Sequence, residues 1–188
     1  MRKIKNFRLT WRVKEVLRRA KKAGVKPGEA GFTEEDQLLA FLDATLTPAL
    51  SPAVLFDSYA AKTEAAALAP LPGLACSLGL ATLGPAFDAA VAAIEDPIKQ
   101  KLATLAGQAA LDQALQFTGG LIAEEAVGEK CELSPLQPLT EPAALSSMLD
   151  RLDGSKIGVS FAEGKLTPAF TAAFSVSWIA KPRSRSKA

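Results

Sequence analysis

The side chains that most often carry catalysis and metal binding are scarce in this chain of 188 residues. Histidine is absent, which removes the usual imidazole general base, every triad that needs imidazole and the commonest metal ligand. The two cysteines, Cys76 and Cys131, are too few for a disulfide scaffold or a Cys- and His-type zinc site within one chain. No Asp-rich loop with a glycine turn indicates a calcium or magnesium site. The sequence therefore predicts no catalytic residue and no metal ligand.

The charged side chains are strongly segregated along the chain. Residues 1–26 carry eleven Lys or Arg and one acid, Glu15, and residues 181–188 carry four basic side chains and no acid. Residues 27–180 carry seven basic and nineteen acidic side chains, a net charge of −12, although the whole chain has a net charge of +2. Clustered cations of this kind can follow a phosphate backbone or attract an acidic partner.

A structural role for the basic segment is favoured over nucleic-acid binding. Only Phe7 and Trp11 interleave with the cations from Arg2 to Lys26, and no helix-turn-helix or RNA-binding signature follows. We expect a solvated helix face, or an arm that packs on the acidic body of its own fold or of a neighbouring molecule.

Hydrophobic periodicity and turn residues predict an alternation of helices and strands that is not strict. Helices are predicted at about 10–23, 33–47, 86–95, 97–117, 121–127 and 143–149, and strands at 53–59, 74–83, 157–162 and 170–178. Thr33 and Asp96 are the expected N-caps, and Gly119-Gly120 is expected to break or kink the long helix. Because the closing strands are predicted to be antiparallel, the fold class is α+β, with an antiparallel twisted sheet covered by helices.

The organisation predicted from these patterns has three parts. Residues 1–26 form a basic helical arm, residues 27–180 an α+β domain, and residues 181–188 a basic, disordered tail. The longest uncharged run, 65–87, contains three prolines and three glycines, which are too many for a bilayer span. No secretory signal is recognisable, so we expect a cytoplasmic protein with no membrane partner.

Several short motifs occur in an order that is typical of one family. They are Glu15-Val16-Leu17-Arg18-Arg19 before Gly24, Ala81-Thr82-Leu83-Gly84 before a helix, Gly-x-Ala-Ala-x-Asp at 107–112, Ser134-Pro135 in a loop, the helix 143–149, Lys156-Ile157-Gly158-Val159-Ser160, and Leu166-Thr167-Pro168 before the last strand. In these motifs the chain resembles the activation domain of cobalamin-dependent methionine synthase and its stand-alone relatives. The resemblance spans most of the chain and implies the same fold for it.

The resemblance also implies a binding role and a set of ligand contacts. Members of the family bind S-adenosylmethionine in a shallow groove and present it to a cobalamin protein, so that an oxidised corrinoid is methylated again. The chemistry belongs to the two cofactors, and the domain binds and orients them. Carried over to this chain, the ligand-binding positions are Asp112, Glu132, Ser134, Pro135, Gln137, Pro168 and Thr171.

Some of these positions depart from the family pattern. The family loop reads Arg-x-Ser-Pro-Gly-Tyr, whereas this chain has Glu132, Leu136 and Gln137 at the Arg, Gly and Tyr positions. A carboxylate cannot replace a guanidinium that binds a ligand carboxylate, because the charge is reversed. Asp112 stands where the family has Glu, and Phe170-Thr171 stands where it has Lys-Ser. The expected groove is therefore altered.

The function expected from these observations is that of a binding module rather than a self-sufficient enzyme. It would be an accessory module for a corrinoid-dependent methyltransferase system, meeting cobalamin only through a partner protein and assisting its reactivation. One alternative is a domain that still binds S-adenosylmethionine with different side chains and supports reductive methylation. The other is a nucleic-acid-associated protein that uses its basic ends.

Overall fold

An antiparallel sheet forms the centre of the molecule, which a computed structural model describes for residues 1–181. Its strands are β1 (Arg2–Lys5), β2 (Ala53–Ala60), β3 (Ala75–Thr82), β8 (Thr171–Ala180), β4 (Cys131–Leu133) and β5 (Gln137–Pro138). The order is β1-β2-β3-β8-β4, and β5 also pairs with β8. A separate hairpin consists of β6 (Ser160–Ala162) and β7 (Lys165–Thr167). The α+β class predicted from the sequence is confirmed.

Five α-helices accompany the strands within the described residues. They are α1 (Val13–Lys22), α2 (Glu35–Thr45), α3 (Pro85–Ala92), α4 (Pro97–Gly128) and α5 (Pro142–Leu149). Short 3-10 turns occupy Pro27–Ala30, Thr47–Ala49, Glu64–Leu68 and Gly154–Ile157. The carboxylate of Asp96 caps α4 as predicted, because its Oδ1 accepts hydrogen bonds from the backbone N–H groups of Ile98 and Lys99.

The apolar side chains form a core on each face of the sheet. On one face, the C-terminal half of α4 packs on β8 through Ile122, Phe174 and Val176. The N-terminal half of α4 continues into a second cluster with α1, α2 and α3. On the opposite face, α5 and the 3-10 turn at Gly154–Ile157 cover alternate residues of β2, β3 and β8. This alternation is the period-two pattern of a sheet that is buried on both sides.

The prediction of a break in the long helix α4 is wrong. Gly119 and Gly120 do not break it, since α4 is continuous from Pro97 to Gly128. Each glycine disfavours a helix by about 1 kcal/mol relative to alanine. That penalty is outweighed because buried residues continue at helical spacing through the glycines, as Ala114, Thr118, Ile122 and Ala126.

The predicted strand at 157–162 is also only partly correct. Gly158 has a φ of 73°, and the backbone N–H of Val159 donates to the C=O of Gly154, so the chain makes a 3-10 turn before it extends. Strand β6 therefore begins at Ser160. A smaller difference concerns α2, where Glu34 rather than Thr33 is the N-cap and forms a capping box with Gln37.

The basic segment 1–26 is built into the same sheet and core as the rest of the chain. The sequence predicted only a helix there, but β1 also pairs with β2 at the sheet edge, where Lys3 and Lys5 discourage pairing with other chains. On α1, Val16 and Ala20 are fully buried against the helical cluster. The predicted tail beyond Lys181 lies outside the described residues.

Candidate functional site

A groove between α4 and the β4–β5 connection is the main candidate site, because it contains two of the ligand residues predicted from the sequence. Its volume is about 410 Å³, which is within the usual range for small-molecule sites. One wall is a face of α4, because residues 112, 115, 116 and 119 recur at helical spacing. The other wall is the chain after β4, and the floor is β8. The residues that line it are Asp112, Leu115, Gln116, Gly119, Leu133, Ser134, Leu136 and Val176.

The carboxylate at one end of the groove is already engaged. Oδ2 of Asp112 lies 2.5 Å from Nη2 of Arg19, and the Asp112 side chain is 49% exposed. Nε of the same guanidinium donates to Glu15 on α1 at 2.7 Å. The hydrogen bond that Arg19 donates to Asp112, followed by the one that it donates to Glu15, raises the pKa of Arg19. Arg12 similarly donates to the side-chain carbonyl of Gln116 at 3.2 Å. Helix α1 and its N-cap residue Arg12 therefore supply the cations at this end of the groove.

Glu15 holds two arginines of this ion-pair network in place. It accepts two hydrogen bonds from Arg18 and one from Arg19, and these lower the pKa of Glu15 to about 2. The carboxylate of Glu15 thus stays ionised at any physiological pH and fixes the guanidinium that contacts Asp112.

Ser134, at the loop side of the groove, is held by the sheet. Its backbone N–H donates to the C=O of Ser177 at 2.9 Å, and its hydroxyl oxygen accepts from the N–H of Ser177 at 2.9 Å. The hydroxyl also donates to the C=O of Pro135 at 3.0 Å. Because both functions of the hydroxyl are used, Ser134 contributes shape rather than a free donor to the groove.

The structure brings together two of the seven ligand residues predicted from the sequence, Asp112 and Ser134. Glu132, Pro135 and Gln137 are exposed and lie outside the groove lining. Glu132 stands between Cys131 and Leu133, whose side chains pack toward α4. The alternation of a strand therefore directs Glu132 to the opposite face.

The two remaining predicted residues lie elsewhere on the fold. Pro168 is buried, and the peptide bond that joins it to Thr167 is cis. Thr171 lines a second groove of about 420 Å³, between β8 and the β6–β7 hairpin. Its hydroxyl donates to Oγ1 of Thr82 at 2.9 Å.

The apolar part of the first groove was missed by sequence reasoning. Leu115, Gln116 and Gly119 follow Asp112 at spacings of three, four and seven, so their position on one face of α4 could have been read from the sequence. Leu133, Leu136 and Val176 carry no such signal, because they meet α4 only after β4 and β5 pair with β8.

The side chains of the groove are suited to binding a ligand. Its polar side chains are one carboxylate paired with Arg19, one amide and one satisfied hydroxyl, set against a floor of leucine and valine. Among residues 1–181, no group of three or more Cys, Asp or Glu side chains is placed to hold a metal ion. None of the helices described is both long and apolar enough to cross a bilayer.

Comparison with known proteins adds no family to this description. No protein-family model matches the chain, and no curated protein matches its sequence.

Proposed function

We propose that the chain is a cytoplasmic accessory module of a corrinoid-dependent methyltransferase system, with the fold of a methionine synthase activation domain. It docks on a cobalamin-binding protein and assists the reactivation of its cofactor. The antiparallel sheet with a long helix across one face supports the fold assignment, since the resembling motifs precede and follow that helix in the expected order.

One observation carries the proposal. Asp112 and Ser134 come from two different motifs of the resemblance, one on α4 and one after β4, and both line the same groove. Residues that are 22 positions apart meet there because β4 pairs with β8 directly below α4. Two of the seven positions carried over from the resemblance therefore meet at one site.

The chemistry of the groove argues against S-adenosylmethionine as its ligand. The carboxylate of a methionine group needs a cation, and two lie beside the groove: Arg19, which is bonded to Asp112 and Glu15, and Arg12, which donates to the side-chain carbonyl of Gln116. Leu136 fills the position at which the family has glycine, and its side chain lines the groove. The groove therefore suits an uncharged or apolar group, such as part of the partner or of its corrin.

The proposal is tested by measuring binding of the purified chain to a cobalamin-loaded corrinoid protein from the same organism. Phenylalanine at Gly119 fills the groove, because a Cβ there lies 4.0 Å from Cδ1 of Leu136. Phenylalanine at Gly120, where a Cβ meets nothing within 4 Å, is the matched control. We expect Gly119→Phe to weaken binding by about tenfold or more and Gly120→Phe to leave it unchanged.

A parallel titration with S-adenosylmethionine distinguishes this proposal from a competent reactivation domain. Calorimetry should detect no binding up to about millimolar ligand. A Kd of about 1 mM corresponds to a binding free energy of only about −4 kcal/mol. Micromolar affinity for S-adenosylmethionine would reject the altered groove. Failure of every corrinoid protein to bind the chain would reject the role itself.

A further inference from the structure

A row of cations occupies the solvent side of α1, and we call it the cationic face. It consists of Lys14, Arg18, Lys21 and Lys22, all exposed. Their separations of four, seven and eight positions from Lys14 place them on one side of a helix. The opposite side of α1 is buried in the core through Val16 and Ala20.

The carboxylates of residues 1–181 form no ion pair with most of the cationic face. Other cations of residues 1–26 do meet acids of the fold, as in the ion pairs Arg2–Glu125, Arg19–Asp112 and Lys26–Glu29. Arg18 forms its ion pair with Glu15 of its own helix. Within the described part of the chain, no carboxylate oxygen lies within salt-bridge distance of Lys14, Lys21 or Lys22.

This arrangement is unfavourable for the isolated fold. Lys14 with Arg18, and Arg18 with Lys22, are like charges four residues apart, and such pairs destabilise a helix. A surface that only needs to be soluble mixes both signs of charge. Residues 27–180 carry a net charge of −12, yet none of their described carboxylates forms an ion pair with Lys14, Lys21 or Lys22. The cationic face is therefore suited to an anionic group from outside the chain.

A notch at the end of this face indicates what kind of anion fits. Arg18, Arg19 and Lys22 line it together with Leu105 and Gln108 of α4, and its volume is about 380 Å³. Cations around a floor of one leucine and one amide side chain accommodate a carboxylate on a short aliphatic stem, as in a glutamate side chain. Arg19 also holds Asp112 at the groove, so an occupant of the notch adjoins the groove.

The acids around the cationic face favour a protein over a nucleic acid. Glu15 lies beside Arg18 on α1, and Asp112 lies behind Arg19 on α4. At the other end, Glu35 and Asp36 of α2 line a pocket with Lys14. A continuous phosphate backbone along the whole face would be repelled by these carboxylates, whereas the acids of a protein surface can be placed between them.

We infer that the cationic face is the docking surface for an acidic face of the corrinoid-carrying protein. This inference rests on the proposed function and specifies the surface through which it is carried out. Electrostatic complementarity mainly accelerates encounter, and salt weakens it. Because Arg19 contacts both the notch and Asp112, docking here places the partner beside the groove.

The test measures the association rate constant between the full chain and a purified corrinoid protein from the same organism, loaded with hydroxocobalamin. The test variant is Lys14→Gln/Lys21→Gln/Lys22→Gln. The control variant, Lys62→Gln/Lys101→Gln/Lys165→Gln, removes the same charge from exposed lysines elsewhere. At low ionic strength we expect the test variant to associate about tenfold more slowly, the control to match the wild type, and the difference to shrink in high salt.

Each result bears on the inference in a defined way. Equal association rates for wild type, test and control variants would overturn it while leaving the proposed function intact, because the partner would still bind. Equal slowing in both variants would also overturn it, since only net charge would matter. Absence of any binding would overturn both proposals. Binding of a 20-base-pair DNA duplex that the test variant alone loses would assign the surface to nucleic acid instead. Thermal unfolding of both variants controls for folding.

Discussion

Replacing Gly79 with alanine would force a methyl group into the ring of Phe174, which lies directly opposite it across β3 and β8. A Cβ at Gly79 would lie 2.3 Å from Cζ and 2.5 Å from Cε1 of that ring. Unbonded carbon atoms normally approach to about 3.5 Å. Phe174 is fully buried beneath α4, so the ring cannot move without displacing its neighbours.

The expected magnitude follows from two opposing terms. Overpacking of a buried site destabilises a protein by about 1–3 kcal/mol. Alanine recovers about 0.5–1 kcal/mol, because glycine loses more backbone entropy in a strand. Because the approach of 2.3 Å is far inside contact distance, the upper part of the overpacking range applies, about 2–3 kcal/mol, and the net loss in the free energy of unfolding is about 1–2.5 kcal/mol. For a chain of this size, each kcal/mol lowers Tm by about 2–4 °C, so we expect a decrease of about 2–10 °C.

A double-mutant cycle separates this clash from general weakening of the sheet. Urea unfolding is measured for Gly79→Ala, Phe174→Leu and the double variant, with Gly120→Ala as an open-space control. The smaller leucine relieves the clash, so the double variant should be about 1 kcal/mol more stable than the sum of the single effects. Unchanged stability of Gly79→Ala, or strict additivity, would refute the register between β3 and β8.

Three further predictions test the described contacts. Asp96→Ala removes the cap of α4 and should lower the free energy of unfolding by about 1 kcal/mol in urea titrations, whereas Asp96→Asn should retain most of it. Glu15, with a pKa lowered from 4.5 to about 2 by Arg18 and Arg19, stabilises the fold above about pH 4.5 and loses this contribution as the pH falls toward 2. The wild type and Glu15→Gln should therefore differ in urea midpoint at about pH 6 and converge near pH 2; a constant difference would contradict the ion-pair network. Burial raises the pKa of the Cys76 thiol, so a thiol reagent at about pH 8 should modify Cys76 only as fast as the protein unfolds, and rapid modification of the native protein would contradict its burial.

The sequence predicts best those elements whose signals are local. The Asp96-Pro97 pair marks the start of α4 because an N-cap carboxylate and a first-turn proline are both properties of neighbouring residues. The alternation from Phe170 to Trp178 likewise predicts β8, whose Phe174, Val176 and Trp178 pack toward α4.

The errors arise where distant packing outweighs local preference. Gly119-Gly120 reads as a helix break, but burial of the residues on either side keeps α4 continuous. Strand β1 has a basic sequence that predicts no strand, and it forms because β2 offers it an edge. The two-residue strand β5 exists only through its pairing with β8.

Some residues of the candidate site could likewise be predicted from local signals, and others could not. Asp112 and Ser134 could be predicted from motifs, and the α4 side of the groove from helical spacing. Arg19 could not be predicted as the partner of Asp112, because that contact depends on how α1 packs against α4. It is this packing that turns a free carboxylate into an engaged one and changes what the groove can bind.

Sedimentation velocity recorded at the visible absorption of the corrin tests the central claim most directly, because only the partner's cofactor absorbs there. Adding the chain to a cobalamin-loaded corrinoid protein should make the corrin signal sediment faster, with or without S-adenosylmethionine. A corrin boundary that is unchanged at every concentration of the chain would contradict the account.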